Sequence, residues 1–445
     1  MPHDRSHSKP NRREFLWTAG LGITGASWGI GARAADEPAP IKVAAILTEF
    51  SYRSHAHVIL ENFLEPYLFN GKKTVSGTKV VSLYVDQFPK AEMARAVAKD
   101  YGITIYPTIA GALCQGGETL AVDAVLSIGE QGNYPVNDKG QREYPRKRFF
   151  DEIVAVYDKS RKVAPIFNDK HLSYRWDWAK EMVDSARDRK IPFLAGSSVP
   201  LAERRPTMEL EPNTELMSAV SIHGGPIEAY DFHGLEVLQS VIESRRGGAR
   251  GISAVQFLEG DALWDAAEAG LWIPKLADAA MAAEVGPGKP TLRELVKTAP
   301  FNGQKLHGLI LTYKDGFRGT VLRVGSSGTR WNFACIAVGE TEPRATSFHT
   351  GPWENRNLFK ALSHAIQTFF RDKLAPYPVE RTLLTTGALD AAMDSHVAGG
   401  KLIQTPHLEF AYTPTNFRSM REMGATWKII TPETPQPKGI DKYVG

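Results

Sequence analysis

A chain of 445 residues with a formal net charge of +3 is long enough for two domains and has no charge excess of the kind that marks a nucleic-acid binder. Its lysines and arginines form no stripe interleaved with aromatics, and the body of the chain has no apolar run of bilayer-spanning length, so nucleic acid and a stable membrane span are both excluded. The two cysteines, Cys114 and Cys335, are too few for a disulfide framework or a cysteine zinc site; two buried thiols are expected, with a single disulfide open as the alternative.

In chain order, the first element is a targeting segment. Arg12-Arg13-Glu14-Phe15-Leu16 is a twin arginine followed by x-Phe-Leu. An uncharged run rich in Gly, Ala and Thr follows over 17–31, too short and glycine-rich to hold a bilayer span. Ala32-Arg33-Ala34 then supplies a small-x-small cleavage pattern. The order of these features predicts a twin-arginine signal over 1–34, recognised by that export machinery, and a periplasmic or otherwise exported mature protein.

Strands are predicted over 42–47, 80–85, 103–109, 124–128, 163–167 and 192–195. Helices are predicted between them over 55–67, 90–101, 149–159 and 176–189. Such alternation builds βαβ units, so the fold class is α/β, with an N-terminal doubly wound Rossmann-like parallel sheet over 41–200. A stretch rich in Pro and charge over 201–213 reads as a linker. Longer strands follow over 216–223, 252–258, 306–313, 320–324 and 333–338, with a helix over 233–243 and a hairpin turn at Lys314-Asp315-Gly316. These predict a C-terminal α+β domain over 201–375 with a mainly antiparallel sheet. Two helices are expected over 353–370 and 379–398.

Several motifs in this order resemble the Gfo/Idh/MocA oxidoreductase family. Val122-Asp123-Ala124-Val125 is similar to the strand before that family's cofactor loop. Pro165-Ile166-Phe167-Asn168-Asp169-Lys170 resembles the strand ending in its Glu-Lys-Pro motif, and Asp231-Phe232-His233-Gly234-Leu235-Glu236 the helix carrying its Asp…His pair. Glu380-Arg381-Thr382-Leu383-Leu384 onward is similar to its C-terminal helix, which packs back on the first domain, so a segment over 376–445 is expected to return there. The resemblance implies an oxidoreductase acting on a carbohydrate or polyol, with NAD or NADP as cofactor and self-association through the second sheet. It also admits an NAD-assisted glycosidase. A non-redox ligand-binding protein and a metal-dependent hydrolase or lyase are the alternatives from other classes.

The departures are specific. The family places glycines after the first strand so that backbone N–H groups can reach the pyrophosphate. Here that segment, Thr48-Glu49-Phe50-Ser51-Tyr52-Arg53-Ser54-His55, has none. His171 stands where the family has proline, and Asp169 where it has glutamate. Ala229 occupies the position of the family's aspartate, with Asp231 and Glu228 nearby.

Tyr52, Arg53, Asp86 and Glu130 are the candidate cofactor contacts. Asp86 ends the second strand, where it would bind ribose hydroxyls or simply open the turn Asp86-Gln87-Phe88-Pro89. Glu130 begins a long loop beyond the fourth strand, with Gln131, Asn133 and Tyr134. Lys170, His171, Asp231 and His233 are the candidate catalytic residues. Lys170 would polarise a substrate hydroxyl, unless it makes a surface salt bridge with Asp169, and His171 could serve in its place. His223, Glu228, Asp231 and His233 form a dense polar cluster with two jobs open: His233 as a general base oriented by Asp231, or the four as a divalent-metal site, although their spacing matches no standard metal motif.

Overall fold

Residues 41–47 are apolar from Val43 onward and buried on both faces, as a strand at the centre of a parallel sheet must be. The computed structural model describes residues 39–288, 291–298 and 305–442 of the chain, so the twin-arginine segment lies outside the described residues. From Pro40 onward the chain forms one compact unit.

The first half runs β1 (Ile41–Leu47), α1 (His55–Leu64), a small hairpin of β2 (Tyr67–Phe69) and β3 (Lys72–Thr74), β4 (Thr78–Val85), α2 (Ala94–Tyr101), β5 (Thr104–Tyr106), α3 (Ile109–Cys114), β6 (Ala124–Ile128), α4 (Arg146–Ser160), β7 (Ile166–Asp169), α5 (Trp176–Asp188) and β8 (Phe193–Gly196). Six of these strands form one parallel sheet in the order β5-β4-β1-β6-β7-β8. The order reverses between β1 and β6, which opens a crevice beyond their carboxyl ends, the usual ligand position in open α/β sheets. The strand expected over 103–109 is cut short. Pro107 cannot donate to the ladder, and the Thr108 side chain caps α3 by accepting from the Gly111 N–H.

The second half runs β9 (Glu203–Arg205), β10 (Leu216–His223), α6 (Ala229–Ile242), β11 (Ile252–Glu259), α7 (Asp261–Glu268), α8 (Pro274–Val285), α9 (Leu292–Thr298), β12 (His307–Tyr313), β13 (Arg318–Arg323), β14 (Trp331–Ala337), β15 (Arg344–His349), α10 (Asn355–Asp372), α11 (Val379–Val397) and β16 (Ile403–Gln404). Its eight-stranded sheet has the order β16-β11-β12-β13-β10-β14-β15-β9 and is antiparallel except between β10 and β13. The linker expected over 201–213 therefore contains an edge strand, β9. Helices α7, α8 and α9 and strand β15 were not foreseen.

Alternate residues of the second sheet face opposite cores. Ala219, Val321 and Phe333 pack with Phe232 and Leu235 of α6, whereas Val220, Leu322 and Ala334 pack with Leu276 and Met281 of α8. Among the described residues, α8 thus lies over the sheet face that the resemblance leaves open for self-association. Helix α11 touches both halves, meeting β11 and α6 on one side and α5 and β8 on the other. Cys114 and Cys335 are free, buried thiols in different cores.

The turn from β10 into α6 is closed by backbone against backbone. A Cβ built on Gly224 would stand 2.3 Å from the Ser327 carbonyl oxygen and 2.8 Å from its nitrogen. Gly224→Ala is expected to destabilise the protein by about 2 kcal/mol, because neither side can give way. Denaturant unfolding measures this; a change under about 0.5 kcal/mol would refute the reading.

Candidate functional site

Four pieces of chain meet at the carboxyl edge of the first sheet: the β1–α1 loop, the loop after β6, the end of β7, and the first turn of α6. The β1–α1 loop replaces glycine with self-capping. The Ser54 side chain accepts from the His57 N–H, and the Arg53 N–H donates to His57 Nδ1 at 2.8 Å. The His55 N–H donates across the crevice to Gln131 Oε1 at 2.9 Å. The N–H groups of Arg53, His55 and His57 thus all have side-chain acceptors. The Arg53 guanidinium donates to Glu354 and Asn355, and the half-exposed Tyr52 donates its hydroxyl proton to the Pro437 carbonyl. Asp86 is fully engaged as well, accepting from the Tyr84 and Tyr134 hydroxyls and from Arg148.

Glu130 is buried at the centre of the cluster. Its Oε1 accepts from Lys170 Nζ at 3.0 Å, and its Oε2 is paired with Arg146, the first residue of α4. Burial opposes ionisation of Glu130, but Lys170 and then Arg146 outweigh it and hold the carboxyl far below the usual range. Burial likewise opposes the charged Lys170, but Glu130 and then Glu228 keep its ammonium above the ordinary value. The surface pair between Lys170 and Asp169 does not form. Asp169 is instead paired across the crevice, its Oδ2 lying 2.6 Å from His55 Nδ1. His171 is buried beside them, with Nδ1 2.9 Å from the Ser173 carbonyl and Nε2 3.3 Å from Arg146 Nη1 and 3.4 Å from Glu228. The carbonyl fixes the proton on Nδ1; burial and then Arg146 keep the ring neutral.

At α6 the four-residue metal grouping does not assemble. Glu228 faces His171 and caps the helix, and Asp231 Oδ2 accepts from the Glu228 N–H in a capping box. Asp231 Oδ1 accepts from His223 Nε2 at 2.9 Å and from His307 Nε2 at 2.8 Å. These three groups lie close enough to share an ion. Yet Nδ1 of both rings is buried without the acceptor that a metal-bound imidazole ordinarily donates to. Asp231 therefore orients His223 and His307, not His233.

His233 is held by Ser197, with Nδ1 2.9 Å from Oγ. The Ser197 hydroxyl is also hydrogen-bonded to Glu236, whose carboxylate accepts from the Ser197 N–H at 3.0 Å. Burial pushes the Glu236 carboxyl up to about 7. Burial holds His233 well below its ordinary value. Trp331 lies edge-on to His233 and stacks on Tyr230 at 4.9 Å, giving the site an aromatic wall.

Five of the eleven non-glycine residues with positive φ among the described residues lie around this place. Arg53, Gln131, Lys170 and Glu228 all have φ between 64° and 66°, and Glu354, on the Arg53 guanidinium, has φ 54°. Non-glycine residues hold that region only where surrounding contacts enforce it. Sequence reasoning missed Arg146, His307, Trp331 and Glu236. Glu236 alone carried a signal, a carboxylate one helical turn after His233.

Neither a protein-family model nor a curated protein matches this sequence. Solved structures do match. GenD2 from gentamicin A biosynthesis, in complex with NAD, superposes with a TM-score of 0.52 at 11% identity, covering 86% of this chain and 99% of its own. The myo-inositol dehydrogenase from Lactobacillus casei, in complex with NAD(H) and myo-inositol, gives 0.51 at 15% identity, covering 85% of this chain and 99% of its own. The apo scyllo-inositol dehydrogenase from Lactobacillus casei gives 0.50 at 9% identity, covering 82% and 98%. At these identities the likeness is one of architecture: the chain has the two-sheet fold of the Gfo/Idh/MocA-type inositol and related dehydrogenases.

Proposed function

We propose that this protein is an oxidoreductase that removes hydride from a hydroxyl-bearing carbon of a carbohydrate-like or polyol substrate, with a nicotinamide dinucleotide as partner. The observation that carries the reading is the buried cluster of Lys170, His171, Glu130 and Glu228 at the start of α6, one turn before His233, at the carboxyl edge of a Rossmann-ordered sheet. The dinucleotide and the inositol come from the neighbours named above, which share the fold.

The donor set at the α1 terminus suits a dinucleotide in part. The N–H groups of Arg53, His55 and His57, with the Arg53 guanidinium, are groups that bind anions, and their present acceptors are side chains, which can be displaced. Tyr52, Arg53 and Glu130 would border the cofactor. Asp86, with three donors already on it, would recognise ribose only by giving one up. When bound, the nicotinamide supplies the hydride acceptor.

The chain's own part is proton handling. With Glu236 ionised, the Ser197 hydroxyl proton points to it, so His233 Nδ1 must donate to Ser197 and Nε2 is left as a base. When Nε2 takes the substrate proton, the Nδ1 proton has an exit through Ser197 to Glu236. Lys170, kept charged by Glu130, lowers the pKa of the hydroxyl it faces.

A second reading rests on one observation, the self-satisfied α1 terminus. It favours a proton-transferring or ligand-binding protein that uses the same cluster without a nucleotide. Nucleotide released on denaturing the purified protein, read by mass spectrometry, separates the two. Near-stoichiometric nucleotide, or a nucleotide-dependent rise in Tm, is expected. Neither being found would sink the redox reading in favour of the second. Export by the twin-arginine route belongs to the proposal and is supported by Arg12, Arg13 and the Ala32-Arg33-Ala34 site. Replacing both arginines with lysine should hold a reporter fusion in the cytoplasm; undiminished export would refute it.

Two further outcomes are expected. Because the relay requires ionised Glu236, kcat should rise with pH through about 7. Glu236→Gln should flatten that limb and lower kcat by about 10²-fold, so a pH–rate profile unchanged in the variant would remove Glu236 from the reaction. Glu130→Gln should cost about 3 kcal/mol at neutral pH, since it leaves Lys170 and Arg146 buried with a neutral partner. Its folded-state pKa is depressed, so the stabilisation is present above the ordinary carboxylate range and is lost as pH falls toward the folded value. The urea midpoints of the two proteins should therefore converge on acidification.

A further inference from the structure

Beyond the carboxyl end of α6, at the opposite end of that helix from the cluster above, lies a cavity of about 740 Å³. It is formed by the segment after β9, the loop that follows α6, and the chain beyond β16. Its walls are rich in arginine. Arg204 and Arg421 are almost wholly buried, with 6% and 3% of their side chains exposed, and Arg418 stands at its rim. All three are within salt-bridge reach of a single carboxylate, Glu209: Arg204 Nη1 at 3.5 Å, Arg418 Nε at 3.8 Å, and Arg421 in direct contact.

The other two acids of the lining do not relieve this imbalance: Glu211 is exposed, and all three arginines are paired with Glu209. Glu243 is taken up by Arg381 at 3.1 Å and by the Tyr412 hydroxyl at 2.8 Å. Arg245, also in the wall, has its own partner in Asp315 at 2.7 Å. That leaves cationic charge in surplus around Glu209. The surplus shows in the donors: Nε of Arg204, and Nε and Nη1 of Arg421, are buried with no hydrogen-bond partner. It shows again in Arg204, whose pKa burial and then Arg421 push down to about 9.

A guanidinium sheds its charge far less readily than a buried lysine, so buried arginines that share one carboxylate and keep donors without partners call for another anion. The cavity is of ligand size, and Tyr412, Phe417, Leu210 and Pro414 give it an apolar side. We propose that this cavity is a binding site for a small anionic molecule, one whose carboxylate or phosphate- or sulfate-type group is held by Arg204, Arg418 and Arg421 while its body lies against Tyr412 and Phe417. The site is separate from the proposed reaction centre and does not depend on how that centre is read.

The test uses the full mature chain, probed with inorganic phosphate, sulfate and citrate against sodium chloride at matched ionic strength. Isothermal titration should show saturable binding of at least one anion, and Tm should rise with it. Multivalent anions also raise Tm by general exclusion from protein surfaces, so the variants decide the matter. Arg418→Gln, a rim substitution that leaves the buried pairs intact, should weaken binding about tenfold, the loss of one charge-assisted contact. Arg421→Gln should weaken it further. If Arg421→Gln fails to fold, Arg418→Gln alone decides. Binding unchanged in Arg418→Gln, or no saturable binding of any of the three anions, overturns the proposal. Citrate binding with no phosphate or sulfate binding would assign the carboxylate class, and the reverse the oxyanion class; either supports the site.

Discussion

The Glu130 carboxylate ties together the chain ends that make the site. It is buried between Lys170 at the end of β7 and Arg146 at the start of α4, so it ties the ends of β6 and β7 to the start of α4. Removing such a charge from water is costly, and only well-placed cations offset the cost. That requirement accounts for the left-handed backbone of Lys170. Successive strand residues point to opposite faces, so an extended Lys170 would continue the alternation begun by Asp169. With φ at 64°, the chain leaves the strand and turns the ammonium onto Glu130. The ion pair holds the strain, and the strain aims the side chain.

Helix α6 presents two further acids, each given a separate task by its surroundings. Asp231 sits in the first turn, where the helix dipole and the Glu228 N–H favour its charge, and two imidazoles converge on one of its oxygens. Glu236 lies further along the helix, wholly buried, and accepts chiefly from Ser197, so burial pushes its carboxyl up instead. One acid is fixed in its ionised form and the other is poised near neutrality. Only the second can exchange a proton with His233 under ordinary conditions, because a relay needs a group whose proton affinity lies close to the working pH.

The fold was legible because its signals are local and repetitive. The continuous apolar runs of β1 and β6 and the strand–helix alternation need no knowledge of partners. The places of Lys170, at a strand end, and of His233, on a helix of the second half, could be read from the sequence. The partnerships were not. Asp231 was expected to orient His233, yet the structure gives it His223 and His307, and His307 comes from a strand 76 residues away. Arg146 reads as an ordinary basic residue in the loop before a helix until that loop folds Glu130 onto it. Helices α7 to α9 were missed because they pack on the far face of the second sheet, and that face shows only when the strand alternation is compared with what covers it.

The segment between β1 and α1 shows how a shared architecture can carry a different terminus. In a glycine-rich version, bare N–H groups wait for an anion and gain full hydrogen bonds when it arrives. Here those N–H groups already have acceptors in Ser54, His57 and Gln131. An incoming phosphate would exchange one acceptor for another and free the displaced side chains, so its net gain per bond is small. Affinity for a dinucleotide would have to come from elsewhere, chiefly from the Arg53 guanidinium, itself committed to Glu354 and Asn355. The same acceptors that weaken an anion's hold satisfy the N–H groups of Arg53, His55 and His57 from within the chain. A protein built this way can fold before meeting its ligand. What the terminus loses in grip on a phosphate it gains in keeping β1, β6 and the Lys170 cluster in register without one.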